Sequence, residues 1–241
     1  MSYLGTDKIG KMFLGDTEIA KAYLGTDLVF AKGGGPTPPA PSGYVTDGLV
    51  AHFDGIDKGN TSGRWESLVG SAYYTLNTHS TVETNAVVMD GAGVITGTNR
   101  VSIGGKAGTI EVCAENLAAP GSAIVLNGSA SGQICFIIGA AGYGFCINGG
   151  SNQWNVTKVD LFTCSLNKDR CMLNGTVTGT IATNNWSSYS DTIGGRASGS
   201  NRYYANIRIY SIRMYNRLLT EAEMLQNQRE DNTRFNLAMT I

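Results

Sequence analysis

The amino-acid sequence predicts an all-β protein, a sandwich of antiparallel strands closed by one short helix near the C terminus. From Tyr44 onward, short runs rich in β-branched and aromatic residues alternate with clusters of Gly, Asn and Ser, which is typical of antiparallel sheets rather than of βαβ units. Residues 44–241 are enough for a single sandwich of about 200 residues. Helical composition occurs only in "LTEAEMLQNQREDNTRF", close to the end of the chain.

The chain begins with a ten-residue unit that occurs three times within residues 1–32. An aromatic residue, a leucine and a β-branched residue recur in register: Tyr3, Leu4 and Ile9; Phe13, Leu14 and Ile19; Tyr23, Leu24 and Val29. Each Leu-Gly is followed by Thr and Asp, which favour a turn, so residues 9–14, 19–24 and 28–31 predict a three-stranded meander. About 30 residues are too few to fold alone. These nine side chains are therefore expected to attach the chain to a partner and to join copies of it. The alternative is that the repeat packs on the rest of the same chain.

The segment "GGGPTPPAPSG", residues 33–43, is predicted to be a linker. It holds four of the five prolines in the sequence, and such a composition favours extended backbone without a packed face. At about 3.1 Å per residue, it could hold two bodies roughly 30 Å apart.

In the main body, alternation and composition predict strands, listed in chain order, at residues 48–53, 87–89, 109–113, 123–126, 134–138, 144–147, 158–164 and 170–173. In "NIRIYSIRMYNR", alternation predicts that residues 207, 209 and 211 share one face of a strand and residues 208, 210 and 212 the other. Thr220, followed three residues later by Glu223, predicts a capping box at the start of the helix.

Several segments, taken in order over residues 47–235, resemble the laminin G-like branch of the concanavalin A-like jelly rolls. They are "DGLVAHFDGIDKGN", "RWESLVGS", "VVMDGAG", "GTIEVCAEN", "CMLNGTVTG" and "IRIYSIRMYNRLLTEAEMLQNQREDNTRF". The resemblance implies a jelly-roll sandwich of two curved antiparallel sheets packed face to face. It also implies that Trp65 packs in the core and that the acidic residue Glu111 has a structural role.

The ten-residue repeat is similar to N-terminal modules of structural proteins from tailed bacteriophages, which often precede a Gly/Pro linker and a lectin-like domain. This resemblance implies a virion component, made in the host cytoplasm, with an attachment module at residues 1–32, a spacer at 33–43 and a displayed domain at 44–241. We expect a head fibre or a capsid decoration protein rather than a tail protein, with other capsid or tail proteins as partners. We also expect a homo-oligomer, with the trimer as the leading prediction.

Charge and hydropathy exclude other classes of partner. The formal net charge is −1, charged residues make up 15% of the sequence and no run of Lys or Arg exceeds one residue, so we expect no nucleic-acid binding. No segment reaches 18 apolar residues and the first residues lack an apolar stretch, so we expect neither membrane insertion nor a secretion signal.

The cysteines and histidines give no pattern of metal ligands, and we expect neither a metal nor a cofactor. Two hairpin folds would bring Cys135 opposite Cys146 and Cys164 opposite Cys171, but in a chain made in the cytoplasm we expect free thiols. His52 and His79 are far apart in the sequence. Many laminin G-like domains, which the sequence resembles, bind calcium. The carboxylates that could serve as ligands here form no close cluster in the sequence: Asp54, Asp57, Asp90 and Asp191.

Catalysis by this fold would need two carboxylates placed about a glycosidic bond. Glu111 and Glu115 could share the face of one strand, but the residues that glycan-cleaving relatives use are absent, so we expect the protein not to be an enzyme. Glu221 and Glu223 are explained by helix capping and the helix dipole.

Trp154, Trp186 and Tyr189 are the candidate ligand-binding residues. They lie among Asn, Gln and Ser, and sugar rings stack on aromatic faces while amides match their hydroxyls. The alternative is that these rings cover an edge of the sandwich. The leading function is thus a virion protein that displays a lectin-like domain for host or mucosal glycans. The alternatives are a glycan-processing enzyme and a purely architectural virion or tail protein.

Overall fold

The structure, a computed structural model, describes part of the chain. The described residues are 13–14, 17–18, 21–24, 27–31, 43–57, 63–97, 108–117, 123–127, 134–139, 142–147, 159–167, 169–179, 192–198 and 201–241. Side chains are described for residues 43–57, 63–97, 108–117, 159–167, 169–178, 192–195 and 204–241. The chain divides into two compact units, Met1–Gly43 and Tyr44–Ile241.

In the first unit, the described residues form two antiparallel strand pairs. The strands are β1 (Phe13–Leu14), β2 (Thr17–Glu18), β3 (Lys21–Leu24) and β4 (Asp27–Ala31). Leu14 lies opposite Thr17 in the first pair and Leu24 opposite Asp27 in the second. Both pairs are thus closed across two intervening residues, as tight hairpins are. The pairing of β3 with β4 agrees with the predicted strands at residues 19–24 and 28–31, whereas β2 lies between two predicted strands.

Five of the nine residues predicted for attachment lie in these strands: Phe13, Leu14, Tyr23, Leu24 and Val29. The other four, Tyr3, Leu4, Ile9 and Ile19, lie outside the described residues, as do residues 33–42 of the predicted linker. The attachment role, the linker and the trimer stay predictions.

The second unit is built from short strands and one helix. In chain order they are β5 (Leu49–Asp54), β6 (Arg64–Glu66), β7 (Tyr73–Thr75), β8 (Ser80–Val82), β9 (Val87–Asp90), β10 (Ile95–Gly97), β11 (Thr109–Asn116), β12 (Ala123–Asn127), β13 (Ile134–Gly139), β14 (Gly142–Ile147), β15 (Leu161–Asn167), β16 (Cys171–Leu173), β17 (Thr176–Gly179), β18 (Thr192–Ile193), β19 (Gly195–Ser198), β20 (Asn201–Tyr204), β21 (Asn206–Tyr215) and α1 (Glu221–Phe235).

Two antiparallel sheets make up the sandwich. A seven-stranded sheet has the order β14-β13-β12-β18-β10-β7-β6, and an eight-stranded sheet has the order β17-β16-β15-β11-β21-β9-β8, with β5 also paired to β21. Strands β19 and β20 form a separate pair. The predicted all-β jelly-roll sandwich with a short C-terminal helix is confirmed.

The core lies between the two sheets. Phe53 of the eight-stranded sheet packs against Trp65 and Tyr74 of the seven-stranded sheet, with ring centres 5.7 and 4.8 Å apart. Trp65 is fully buried, and its Nε1 donates to the carbonyl of Asp54 at 3.0 Å. Its predicted core position is therefore confirmed.

Strand β21 contains a bulge that the alternation did not predict. The register passes from Cys113 opposite Ser211 to Ala114 opposite Ile209, which leaves Tyr210 as an extra residue. As a result, Ile212 joins Ile209 in the core, and Ser211 faces the opposite side together with Tyr210. The predicted faces are thus wrong after Tyr210, because one inserted residue shifts the two-residue alternation.

Helix α1 covers the outer face of the eight-stranded sheet. The predicted capping box is confirmed: Thr220 Oγ1 accepts from the backbone N–H of Glu223, and Glu223 accepts from the backbone N–H of Thr220. The helix ends at Asn236, whose left-handed backbone (φ 53°) lets its N–H bond to the carbonyls of Asn232 and Thr233. The buried residues of the helix follow a helical spacing, and most of them are polar: Met224, Asn227, Gln228, Asp231 and Phe235.

Candidate functional site

The three residues predicted to bind ligand, Trp154, Trp186 and Tyr189, lie outside the described residues. Their role stays a prediction. The described part contains three groups of polar side chains that are candidate sites: a buried network under α1, clusters of charges at the surface, and a row of side chains on the seven-stranded sheet.

The buried network is centred on Arg213 of β21. Its guanidinium lies 2.9 Å from Glu111 Oε2 through Nε, and 2.6 and 2.7 Å from the two carboxylate oxygens of Asp231 through Nη1 and Nη2. All three side chains are fully buried. Burial disfavours the charge of Arg213, but the carboxylates of Asp231 and Glu111 outweigh it and raise the pKa of Arg213.

Neutral donors complete the network. Asp231 also accepts from the hydroxyls of Tyr44, Thr163 and Ser211, each at 2.9 Å. Asn227 of α1 donates to Glu111 at 2.7 Å and accepts from the backbone N–H of Val45 at 2.8 Å. The network therefore joins the first residues of the domain, the sheet and the helix. Because its charges are enclosed, it positions α1 and offers no surface to a ligand. The structural role that the resemblance implied for Glu111 agrees with this position.

His52 lies at the edge of this network. Its Nε2 is buried without a hydrogen-bond partner, 3.5 Å from Asp54 Oδ2, and its ring meets the ring of Tyr44 edge-on at 4.9 Å. Burial, followed by the positive charge of Arg213, lowers the pKa of His52 to about 4. His52 is therefore neutral at physiological pH.

Arg208 organises a cluster at the surface of the same sheet. It binds both carboxylate oxygens of Glu83, at 2.8 and 3.3 Å, and it also contacts Glu115. The hydroxyl of Tyr210 donates to Glu115 at 3.1 Å. Burial, and next the charge of Glu115, raise the pKa of Tyr210 to about 12, so this phenol is not activated as a nucleophile. Glu111 and Glu115 do lie on the same strand, but each is engaged by a different arginine.

Two of the aspartates considered for calcium are bound by an arginine instead. Arg234 lies 2.7 Å from Asp54 Oδ2 and 2.7 Å from Asp57 Oδ2. Asp90 lies 3.1 Å from His79 at the surface, and Asp191 is outside the described residues. Among the residues that the structure describes, no group of three or more His, Cys, Asp and Glu could hold a metal ion.

The cysteines follow the predicted hairpins in part. Cys135 lies opposite Cys146 in the register of β13 and β14, as predicted. Cys164 lies opposite Leu173 rather than Cys171, because the turn of this hairpin is shifted along the chain. The two sulfur atoms are nevertheless 3.8 Å apart, and Cys113, Cys164 and Cys171 are buried free thiols.

The seven-stranded sheet carries a row of polar side chains across four neighbouring strands. Arg64 lies opposite Thr75, Thr75 opposite Thr96, and Thr96 opposite Thr192. We call these four residues the polar row. The residues next to them along each strand, Trp65, Tyr74, Ile95 and Ile193, point into the core. The polar row therefore lies on the outer face of the sheet, where all but the half-buried Thr192 are exposed.

An aromatic ring orients the first residue of the row. The guanidinium carbon of Arg64 lies 4.1 Å from the centre of the Tyr73 ring, a distance at which a cation is attracted to the ring face. Tyr73 is two residues before Thr75 on β7, so both side chains are on the outer face. Sequence reasoning missed this site because β6, β7, β10 and β18 are only two or three residues long. The one signal of this site in the sequence was the alternation of outward-facing and core residues in "RWE" and "YYT".

No family model matches the sequence, and no curated protein matches it. Among solved structures, the chain is similar to Trypanosoma rangeli sialidase in complex with sialic acid, at 13% identity and a TM-score of 0.58, covering 80% of this chain and 34% of that one. It is also similar to the binding domain of botulinum neurotoxin DC in complex with rat synaptotagmin II, at 10% identity and a TM-score of 0.56, covering 76% of this chain and 52% of that one. The chain thus spans about a third of the sialidase and half of the toxin domain. At these identities the likeness establishes the fold.

The comparison corrects one prediction. The inference that the protein is not an enzyme is wrong, because the solved structures that share its fold include sialidases, among them a mutant with trans-sialidase activity. The absence of the residues that glycan-cleaving relatives use was too narrow a criterion, since one fold carries several chemistries.

Within the described ranges, no helix has the length and apolar character needed to cross a membrane.

Proposed function

We propose that the protein is a virion component of a tailed bacteriophage, a head fibre or capsid decoration protein, whose second unit binds glycans. The observation that carries the glycan part is the difference between the two outer faces of the sandwich. Helix α1 covers the outer face of the eight-stranded sheet, whereas the seven-stranded sheet presents the exposed polar row and the Arg64–Tyr73 contact.

Such a face fits carbohydrate because sugars offer many hydroxyls and few charges. Threonine hydroxyls both donate and accept hydrogen bonds, and a few polar groups in fixed positions set the orientation of a ligand. The sialidase of similar fold that holds sialic acid supports this class of ligand. The toxin domain in complex with synaptotagmin II makes a protein receptor the second possibility to test.

The virion part of the proposal is supported by the sequence repeat at residues 1–32, the proline-rich segment that follows it and the separate compact unit from Tyr44 onward. Localisation of an antibody to residues 44–241 on purified phage particles, by electron microscopy, tests it. Label on the head is expected. Particles without label would overturn the virion assignment, and label on the tail would overturn the head assignment.

A glycan array combined with a polysaccharide panel tests the glycan part. We expect retention of a defined group of glycans by the unit 44–241. The same samples are analysed for released sugars, since cleavage would establish a glycan-processing enzyme. If the glycans are neither retained nor cleaved, an architectural role remains and the proposal is contradicted.

A further inference from the structure

We propose that the polar row binds a carboxylate-bearing oligosaccharide that lies across the strands of the seven-stranded sheet, with its carboxylate on Arg64 and its hydroxyls along the threonines. This inference rests on the proposed glycan binding and names the ligand class and the site. It differs from the sequence prediction, which placed the ligand at Trp154, Trp186 and Tyr189.

The charge of the row indicates an acidic ligand. The row has a cation at one end and three neutral hydroxyl side chains after it. The guanidinium of an arginine forms paired hydrogen bonds with a carboxylate. Contact with the Tyr73 ring fixes the guanidinium before the ligand arrives, and pre-organisation of this kind reduces the entropy lost on binding.

The geometry of the row indicates an extended ligand. Neighbouring strands are about 4.8 Å apart, so four positions across four strands span roughly 14 Å. That length corresponds to a short oligosaccharide rather than to a single sugar. Thr75 and Thr96 are exposed, while the hydroxyl of the half-buried Thr192 donates to the carbonyl of Gly195 at 3.1 Å.

The row fits a glycan better than a peptide strand. Peptides that extend a sheet pair with the backbone of an edge strand, whereas these four residues offer side chains on the face of the sheet. Arg64 belongs to β6, which ends the order of this sheet. A ligand can therefore reach the charged end from the side and lie across the threonines.

The experiment measures binding to the full-length chain by calorimetry with four probes. Two are acidic, 3′-sialyllactose and tri-galacturonic acid, and two are their neutral partners, lactose and the methyl ester of tri-galacturonic acid. The variants are Arg64→Gln and Thr96→Val. The matched controls are Arg229→Gln on α1 and Thr81→Val on β8, both at exposed positions outside the row.

We expect at least one acidic probe to bind about tenfold or more tightly than its neutral partner, as a hydrogen-bonded ion pair provides. Arg64→Gln should remove that preference, Thr96→Val should weaken binding of the acidic probe, and both controls should bind as the wild type does. Which acidic probe is preferred distinguishes a sialic acid from a uronic acid. All these positions are exposed, and unchanged melting temperatures would show that the variants fold.

Two results would overturn the inference and leave the proposed function standing. One is an acidic preference that survives Arg64→Gln. The other is binding that is lost in Trp154→Ala or Trp186→Ala and kept in both row variants. A wild-type chain that retains no glycan on the array overturns the proposed glycan binding itself, and this inference with it.

Discussion

Arg213 and Asp231 form a two-pronged ion pair in which both terminal nitrogens of the guanidinium lie within 2.7 Å of a carboxylate oxygen, with no exposure of either side chain. The pair joins β21 to α1, and two clusters of buried apolar side chains, one with Met224 and Tyr215 and one with Phe235 and Tyr210, also connect the helix to the sheet. Buried hydrogen bonds and apolar packing therefore both attach the helix to the sheet. An enclosed ion pair carries a large desolvation penalty, so its stability depends on every partner being present.

Replacement of Arg213 by Met should destabilise the domain strongly. The change leaves Asp231 and Glu111 buried without their cation, and loss of one partner of a buried pair costs about 3–5 kcal/mol. Urea denaturation of the unit 44–241 measures the change. Arg170→Met, which removes an exposed pair with Glu221, is the control and should cost about 0–1 kcal/mol. Equal effects of the two variants would contradict the assigned role of the network.

The stability of the domain should fall with acid in a window set by His52. The pKa of its imidazole is about 4 in the fold and 6.5 without the fold. Between these values the unfolded chain binds a proton that the folded chain does not. The contribution of neutral His52 to the free energy of unfolding is therefore complete above about pH 6.5 and is lost as the pH falls through 4. Burial is the largest cause of this lowered pKa, followed by the charges of Arg213, Asp54, Asp231 and Arg234.

Denaturation of wild type and His52→Leu at several pH values tests this dependence. The wild type should lose at most about 1.4 kcal/mol per pH unit through this residue, and the variant should show a flatter profile between pH 6.5 and 4. Val112→Ala in the core is the control, since it should lower stability equally at every pH. A His52→Leu profile parallel to that of the wild type would contradict the prediction.

The long strands and the helix could be predicted from the sequence because their signals are local. Eight residues of Thr109–Asn116 show the expected composition, and the Thr220–Glu223 capping box marks the helix start. The bulge at Tyr210 could not be predicted, since an inserted residue is visible only when a partner strand defines the register.

The candidate sites were less predictable than the fold. Arg213 and Asp231 have side chains that are usually exposed, and only the folded sheet shows that they are buried together. The polar row needs four strands of two or three residues to be aligned, and such short runs carry too little alternation to be recognised. Aromatic residues among Asn, Gln and Ser, by contrast, are visible in a sequence whether or not they bind a ligand.

Replacement of Trp154 or Trp186 by Ala tests the site that the sequence predicts. If these rings stack on sugars, glycan retention should weaken by about 1–3 kcal/mol, the magnitude measured for bases stacked on aromatic side chains. Thermal unfolding should change little. A loss of several degrees in melting temperature in both variants would show that the rings stabilise the fold, and the predicted site would then be wrong.

Deletion of residues 1–43 tests the attachment module. The unit from Tyr44 onward has its own core between two sheets and its own helix, and a domain of roughly 200 residues buries enough surface to fold by itself. The truncated chain should therefore be soluble, with the β-rich circular dichroism of the full-length protein. Light scattering should show a monomer for the truncated chain and a larger assembly, with the trimer as the leading prediction, for the full-length chain.

Particle incorporation completes the test, because the strand pairs of the first unit are too small to be stable alone. Two strands without a further partner leave their backbone groups open to pairing with another chain, and the repeated unit offers the same edges in every copy. Full-length protein should join phage particles grown without it, whereas the truncated protein should remain in solution. A truncated chain that assembles and joins particles as the full-length chain does would show that attachment and assembly depend on the second unit instead.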